Sequence, residues 1–115
     1  MDREYINGIF TEKFNDEALR WAMLMTAIES VGDASLKQNA KTGDAKFFAL
    51  GQASYITQAY VLSLALKDNK LGITNAYWNG MTNITNTAIG MAMGESYTNW
   101  QFVGIGLITA GILLL

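Results

Sequence analysis

The chain has 115 residues, of which 50% are apolar and only 16% are charged, and its formal net charge at neutral pH is -2. It contains neither cysteine nor histidine, which excludes disulfides and thiolate metal sites and leaves carboxylates as the groups for any proton transfer. The slight acidic balance lacks the basic footprint of a nucleic-acid-binding protein. We expect no metal, no cofactor and no catalytic residue.

Residues 1–16 form a mixed polar extension before the long apolar stretches. The apolar residues at helical spacing in it are Ile6, Ile9, Phe10 and Phe14. This spacing is typical of a short amphipathic helix on a membrane surface, and a flexible polar tail is an equally good interpretation. Asn15 is followed by two acidic residues, so it resembles an N-cap and predicts that the first long helix begins near residue 17.

Runs without charged residues dominate the rest of the chain. No Asp, Glu, Lys or Arg occurs in residues 47–66, 71–94 or 96–115, and the stretch 21–36 is interrupted by only two acidic residues. At about 1.5 Å per residue, each long run in a helix roughly matches the ~30 Å hydrocarbon core of a membrane. We therefore predict an all-α fold with one four-helix transmembrane domain, residues 17–115. The predicted spans are about 17–36, 47–66, 71–93 and 97–115.

Polar segments at 37–46, 67–70 and 94–99 separate these helices. Basic residues fall almost evenly on the two sides of the predicted arrangement, so they determine its orientation only weakly. This balance is compatible with both orientations in one membrane, and therefore with an antiparallel dimer. A single orientation is also compatible with it.

Glu29 lies in the middle of the first predicted span, where a charged carboxylate costs about 2.5 to 3.5 kcal/mol on insertion scales and is commonly functional. It could exchange a proton for a cation. The alternative is an incompletely inserted segment or a pair with a lysine at a helix end. Asp33 lies one turn later, and Lys37 one turn after that. Asp33 either pairs with Lys37 or faces a cavity, where it would favour a more polar or doubly charged substrate.

The third predicted span is unusually polar. Its asparagines recur at three- and four-residue steps, at Asn75, Asn79, Asn83 and Asn86. They share one helical face, which in lipid must either bond neighbouring helices or line a wet pathway.

Aromatic residues in the second and third spans could surround an organic cation, although packing is their commoner use. These residues are Tyr55, Tyr60, Tyr77 and Trp78.

Several residues recur at a distinctive spacing. Glu29 is followed by a glycine three residues later and a lysine eight residues later. The further matching elements are Tyr55, Gly72-Ile73, Trp78 with Gly80, Gly94-Glu95 after a one-residue deletion, and the pair Gly104 and Gly111. Over about residues 26–115 this set resembles the small multidrug resistance family of the drug/metabolite transporter superfamily.

The resemblance implies four transmembrane helices assembled as an antiparallel homodimer. It also implies that the glutamates of both subunits bind protons or a cationic substrate in turn while the dimer alternates access. Glu29, Tyr55 and Trp78 would take the binding roles. The glycines implied in packing or dimerisation are Gly32, Gly80, Gly104 and Gly111. We therefore expect a proton-coupled exporter of small organic cations in the inner (plasma) membrane, with lipid and a second copy of the chain as partners.

Two substitutions depart from the family pattern at the site. Asn75 stands where the family has a tyrosine, although Tyr77 is close, and Asp33 takes a threonine-like position. Both residues would then contribute to binding, and they favour a smaller, more hydrophilic cation, such as a polyamine or a guanidinium-type compound.

Two other interpretations stay open at the level of sequence. One is a non-transporting membrane subunit, or half-transporter, that assembles with a partner membrane protein. The other is a soluble four-helix protein, which the modest mean hydropathy and the asparagines would permit.

Overall fold

The computed structural model describes residues 3–14 and 16–115, without the side chains of residues 10–12 and 14. The described chain forms five helices: α1 (Arg3–Phe14), α2 (Glu17–Thr42), α3 (Ala45–Ala65), α4 (Leu71–Ala92) and α5 (Asn99–Leu114). No strand occurs in these residues, so the all-α prediction is confirmed. Residues 3–14 are helical, and their position on a membrane surface stays a prediction.

The start of α2 is capped by Asp16. Its Oδ1 accepts a hydrogen bond from the Ala18 backbone N–H at 2.9 Å, which satisfies one of the free amides of the first turn. The described cap is thus one residue later than the predicted cap, and Asn15 itself lies outside the described residues.

The end of α2 differs from the prediction. The helix continues to Thr42, so the predicted loop over residues 37–46 is wrong for its first six positions. Gly43 ends the helix because its φ of 71° lies in the left-handed region that glycine adopts without steric cost, and its N–H donates to the Asn39 carbonyl at 2.7 Å. Asp44 then caps α3 through a hydrogen bond from the Lys46 amide at 3.0 Å.

Helix α2 is the centre of the fold, because it packs along both α3 and α4. Its contact with α3 is close at Gly32, where an added Cβ would lie 2.8 Å from the Ser54 Cβ. Helix α5 packs mainly against α4, where an added Cβ at Gly80 would lie 2.8 Å from the Ile112 Cδ1. The two predicted packing glycines Gly32 and Gly80 therefore allow close helix contacts within one chain.

Helix α1 is tied to the bundle by a fully buried tyrosine of α4. Lys13 Nζ donates to the Tyr77 hydroxyl at 3.1 Å, and that hydroxyl donates to Asp16 Oδ2 at 2.8 Å. Tyr77 also packs with Ala18, Leu19 and Ala22 in a small apolar core. The hydrogen bonds and this core position α1 against the beginning of α2.

Helix α5 leaves much of its apolar surface exposed and has no buried residue. At Gly104 and at Gly111, an added Cβ would have no heavy atom within 4 Å outside its own helix backbone and chain neighbours. By the combined measure of length and apolarity, none of the described helices qualifies as a membrane-spanning segment.

Candidate functional site

Glu29 lies near the middle of α2, partly buried, on the side that meets α4. The Thr82 hydroxyl donates to Glu29 Oε2 at 3.4 Å and lies 3.3 Å from the Thr26 hydroxyl. The indole nitrogen of Trp78 is buried near the same carboxylate and makes no hydrogen bond in the described part of the chain. In the described part of the chain, no basic side chain lies within ion-pair distance of Glu29. Its hydrogen-bond donor is therefore neutral, and a second charged group on this face of α2, the Asp33 carboxylate, lies one turn away.

Asp33 lies one turn further along α2 and joins three helices. The Tyr55 hydroxyl of α3 donates to Asp33 Oδ1 in a short contact, and Asn86 Nδ2 of α4 donates to Oδ2 at 2.6 Å. Each carboxylate oxygen thus accepts from a different neighbouring helix. This arrangement holds the Asp33 side chain toward α3 and α4.

The alternative in which Asp33 pairs with Lys37 is wrong. Lys37 Nζ lies 3.0 Å from Glu95 Oε2, in the connection between α4 and α5. Among the described ion pairs none includes Asp33. Helix α2 extends six residues past the predicted end, so Lys37 lies inside a helix. From there its side chain reaches the segment that connects α4 to α5.

A cavity of about 160 Å³ adjoins Asp33. Its lining residues are Asp33, Ala34, Lys37, Asn86, Ile89, Gly90, Met93 and Glu95. The space exceeds what one water molecule requires. Asp33 contributes to one wall, and Lys37 and Glu95, which form an ion pair, line the cavity as well.

The connection from α4 to α5 is held against α2 beside this cavity. Glu95 also accepts a hydrogen bond from the Tyr97 hydroxyl at 2.9 Å, and Lys41 Nζ donates to the Met93 carbonyl at 3.2 Å. The hydrogen bond from Lys37, followed by that from Tyr97, holds the pKa of Glu95 below its usual value. The absence of a side chain at Gly90 leaves room for Glu95 and Tyr97, since an added Cβ would collide with both.

The predicted site residues fall into two neighbouring groups. Glu29 and Trp78 are together, and Asp33 and Tyr55 are together one turn away. Asn75 is exposed on α4, about one turn before Trp78, and makes no described contact with either carboxylate. Tyr77 does not replace the missing tyrosine, because it points toward Lys13 and Asp16.

The sequence interpretation missed the roles of Thr82 and Glu95 and left the role of Asn86 open. Thr82 and Asn86 are four residues apart on α4, matching the four-residue step between Glu29 and Asp33 on α2. A search for polar residues one and two turns after Trp78 would have found both. Of the asparagine series, Asn86 reaches another helix, whereas Asn75, Asn79 and Asn83 are exposed in the single chain.

Chemically, this arrangement suits the binding of protons or cations. Two carboxylate residues, Glu29 and Asp33, share one face of α2, and their backbone positions are about 6 Å apart along the helix axis. Among the described residues, neutral hydroxyl and amide groups donate to them, and no cationic side chain does. A positive charge entering between α2 and α4 would meet carboxylates that have no counter-ion in the part of the chain that the structure describes.

Comparison with known proteins identifies the family. The sequence profile described as Small Multidrug Resistance protein matches residues 19–108. Quaternary ammonium compound-resistance protein QacE of Escherichia coli is 33% identical over 98 residues, which cover 83% of this chain and 89% of the relative. A putative ethidium bromide resistance protein of Escherichia coli is 34% identical over 97 residues, covering 82% and 84%. The resemblance predicted from the spacing of glutamate, lysine, tyrosine, tryptophan and glycine is confirmed, and the chain belongs to the small multidrug resistance family.

Proposed function

We propose that the protein is a proton-coupled exporter of small organic cations, working by alternating access as an antiparallel homodimer in the inner membrane. Family membership, and relatives named for resistance to quaternary ammonium compounds and to ethidium bromide, support the broader assignment to drug efflux. In this proposal α2 to α5 cross the membrane.

The observation that carries the proposal is the environment of Glu29. The carboxylate is partly buried between α2 and α4 and has no basic partner among the described residues. A carboxylate in a membrane interior is costly when charged and unpaired. It is therefore most stable with a proton or with a bound cation, and these two ligands exclude each other. Competition for one carboxylate is the simplest coupling of proton entry to cation exit.

The polar neighbours of Glu29 fit this exchange. The Thr82 hydroxyl donates to the carboxylate, and Thr82 itself lies within hydrogen-bonding distance of Thr26. A hydroxyl can rotate to donate to a charged carboxylate or to accept from a protonated one. The Trp78 ring next to Glu29 would offer a cation a π-face.

The homodimer is supported by surfaces that a single chain leaves open. Gly104 and Gly111 lie seven residues apart on α5, and the space beside each is empty. Small residues at such positions let two helices approach closely in a membrane. The exposed asparagines of α4 would also need cover from lipid, which a second subunit would provide.

The test is proton release from the detergent-solubilised protein when quaternary ammonium, guanidinium and amine cations are added. The wild type should release protons with at least one of these cations. Glu29→Gln, which keeps the shape and removes the titration, should release none. Glu4→Gln removes an exposed carboxylate of α1 and is the matched control, which should behave as the wild type. Unchanged release by Glu29→Gln would disprove the role of Glu29.

A second candidate is a non-transporting membrane subunit or half-transporter. The exposed face formed by Asn75, Asn79 and Asn83 favours it, because such a face could bind a different membrane protein. This candidate predicts that the purified chain neither self-associates nor releases protons with any cation. Self-association together with Glu29-dependent release would exclude it.

A further inference from the structure

Asp33 is a carboxylate whose side chain is held in place without a cationic partner among the described residues. Tyr55 and Asn86 donate to its two oxygens from two different helices. Both donors are neutral, so they orient the carboxylate and leave its charge uncompensated. Asp33 also lines the adjoining cavity of about 160 Å³, which has room for a cation beside it.

The lysine that could neutralise Asp33 is engaged elsewhere. Lys37 is one turn from Asp33 on α2, yet its ammonium lies 3.0 Å from Glu95 Oε2. Glu95 takes a further hydrogen bond from Tyr97, which keeps it beside Lys37. The lysine therefore lines the cavity as part of an ion pair, and Asp33 lines the same cavity without one.

The spacing of the carboxylates is set by helix geometry. Glu29 and Asp33 are four residues apart on α2, and each accepts a hydrogen bond from α4, from Thr82 and Asn86 respectively. Positions i and i+4 share a helix face and are separated by about 6 Å along the axis. Two negative charges are thus presented to α4 at a defined separation.

We propose that Asp33 is a specificity-determining residue that binds the second positive charge of a linear dicationic substrate while Glu29 binds the first. The inference rests on the proposed function, since it names the substrate class of the same transport path. The substrate class is the α,ω-diamines whose nitrogens are separated by about 6 Å, the axial distance over four helical residues. A monocation would satisfy Glu29 and leave Asp33 uncompensated, whereas a diamine would satisfy both.

A purely structural role for Asp33 makes a different prediction. If the carboxylate only joined α2, α3 and α4, its removal would weaken the fold and affect every substrate equally. A substrate-binding role instead changes the ratio between doubly and singly charged ligands. The ratio is therefore the measurement that separates the two roles.

The experiment compares putrescine, a four-carbon diamine, with its mono-acetylated form, which is built on the same diamine chain and has one charge fewer. Binding and proton release are measured on the full-length solubilised protein. The wild type should bind putrescine about tenfold or more tightly than the acetylated amine, as expected for one additional charge-assisted hydrogen bond. Asp33→Asn should bind the two ligands about equally. Asp68→Asn removes an exposed carboxylate near the α3–α4 connection, and it should keep the wild-type ratio.

The outcomes are distinguishable. If monocations release protons from the wild type and putrescine binds no better, the exporter proposal stands and the role of Asp33 is disproved. Retention of the wild-type ratio by Asp33→Asn also disproves it. If no cation releases protons from folded wild type, the proposed function fails, and this inference fails with it.

A length series on the wild type keeps the proposal testable if Asp33→Asn does not fold. Diamines of increasing chain length, each paired with its mono-acetylated form, should show their largest preference near the separation of the two carboxylates. A preference that is absent at every length would overturn the proposal. Asp33→Glu, which keeps the charge on a longer side chain, should retain the preference and shift the best length.

Discussion

Lys37 of α2 forms an ion pair with Glu95 of the α4–α5 connection, with Nζ 3.0 Å from Oε2. This ion pair affects both Asp33 and the segment that connects α4 to α5. It keeps the Lys37 ammonium away from Asp33. It also holds residues 93–98 beside α2, and the hydrogen bond from Lys41 to the Met93 carbonyl has the same effect. One contact between distant segments thus leaves a carboxylate available to a ligand.

The Glu95 contact predicts a pH dependence of stability. The folded protein holds the pKa of Glu95 below its usual value, chiefly through the hydrogen bond from Lys37. A carboxylate whose pKa is lower in the folded than in the unfolded state stabilises the fold at any pH above its unfolded pKa, which is about 4.3 for glutamate. This stabilisation is lost as the pH falls through the pKa of the folded state. The thermal midpoint of wild type should exceed that of Glu95→Gln slightly at neutral pH, because both side chains are partly solvated. The difference should vanish in acid, and a difference that persists there would contradict the prediction.

Gly32→Ala tests the close contact between α2 and α3. The new Cβ would lie 2.8 Å from the Ser54 Cβ, so the two helices would have to separate. We expect a loss of about 1 to 3 kcal/mol in the free energy of unfolding, as for other overpacked sites. Denaturant unfolding of the solubilised protein measures it. Ser54→Gly in the same chain should restore part of the lost stability, because it removes the clashing Cβ but places a glycine inside α3. Gly72→Ala, which meets open space, should be nearly neutral. Equal effects at Gly32 and Gly72 would refute the contact.

Asn86 and Asn83 form a matched pair on α4. Asn86→Ala removes a donor to the Asp33 carboxylate and should cost roughly 1 to 3 kcal/mol, because a hydrogen bond to a charged group is lost. Asn83 is exposed, and its side chain donates only to the Asn79 carbonyl of its own helix among the described contacts, so Asn83→Ala should change the unfolding free energy of one chain little. The same unfolding measurement applies to both variants. A larger loss at Asn83 would show that this face is already covered in the protein as purified.

Self-association should depend on one face of α5. Gly104→Val and Gly111→Val are expected to weaken dimerisation severalfold, because added methyl groups would hold two helices apart. Helical content should not change, since neither position meets another part of its own chain. Gly106→Val is the control, since Gly106 is also open but lies on a different face of the helix. Cross-linking in detergent measures the dimer, and equal loss for all three variants would indicate a general defect in α5.

The helices were largely predictable because their signals are local. Long charge-free runs predicted α3, α4 and α5 to within a few residues of their described ends. The end of α2 was not predicted, because a cluster of polar residues resembles a loop but is also normal on an exposed helix face. No residue before Gly43 obliges the backbone to leave the helical conformation.

By itself, the sequence determined the helical class, the position of Glu29 and the family spacing, because each depends on residue type and on distance along the chain. The tertiary structure decided which groups meet. From the four-residue step on α2, Lys37 could have paired with Asp33. Instead Lys37 pairs with Glu95, which is 58 positions further along the chain. Asp33 accepts hydrogen bonds from Tyr55 and Asn86, which belong to two other helices. Likewise, Tyr77 packs toward Lys13 and Asp16 because α1 and α2 present a charged partner and an apolar core there. Contacts of this kind depend on how whole helices pack, and spacing along one helix does not contain that information.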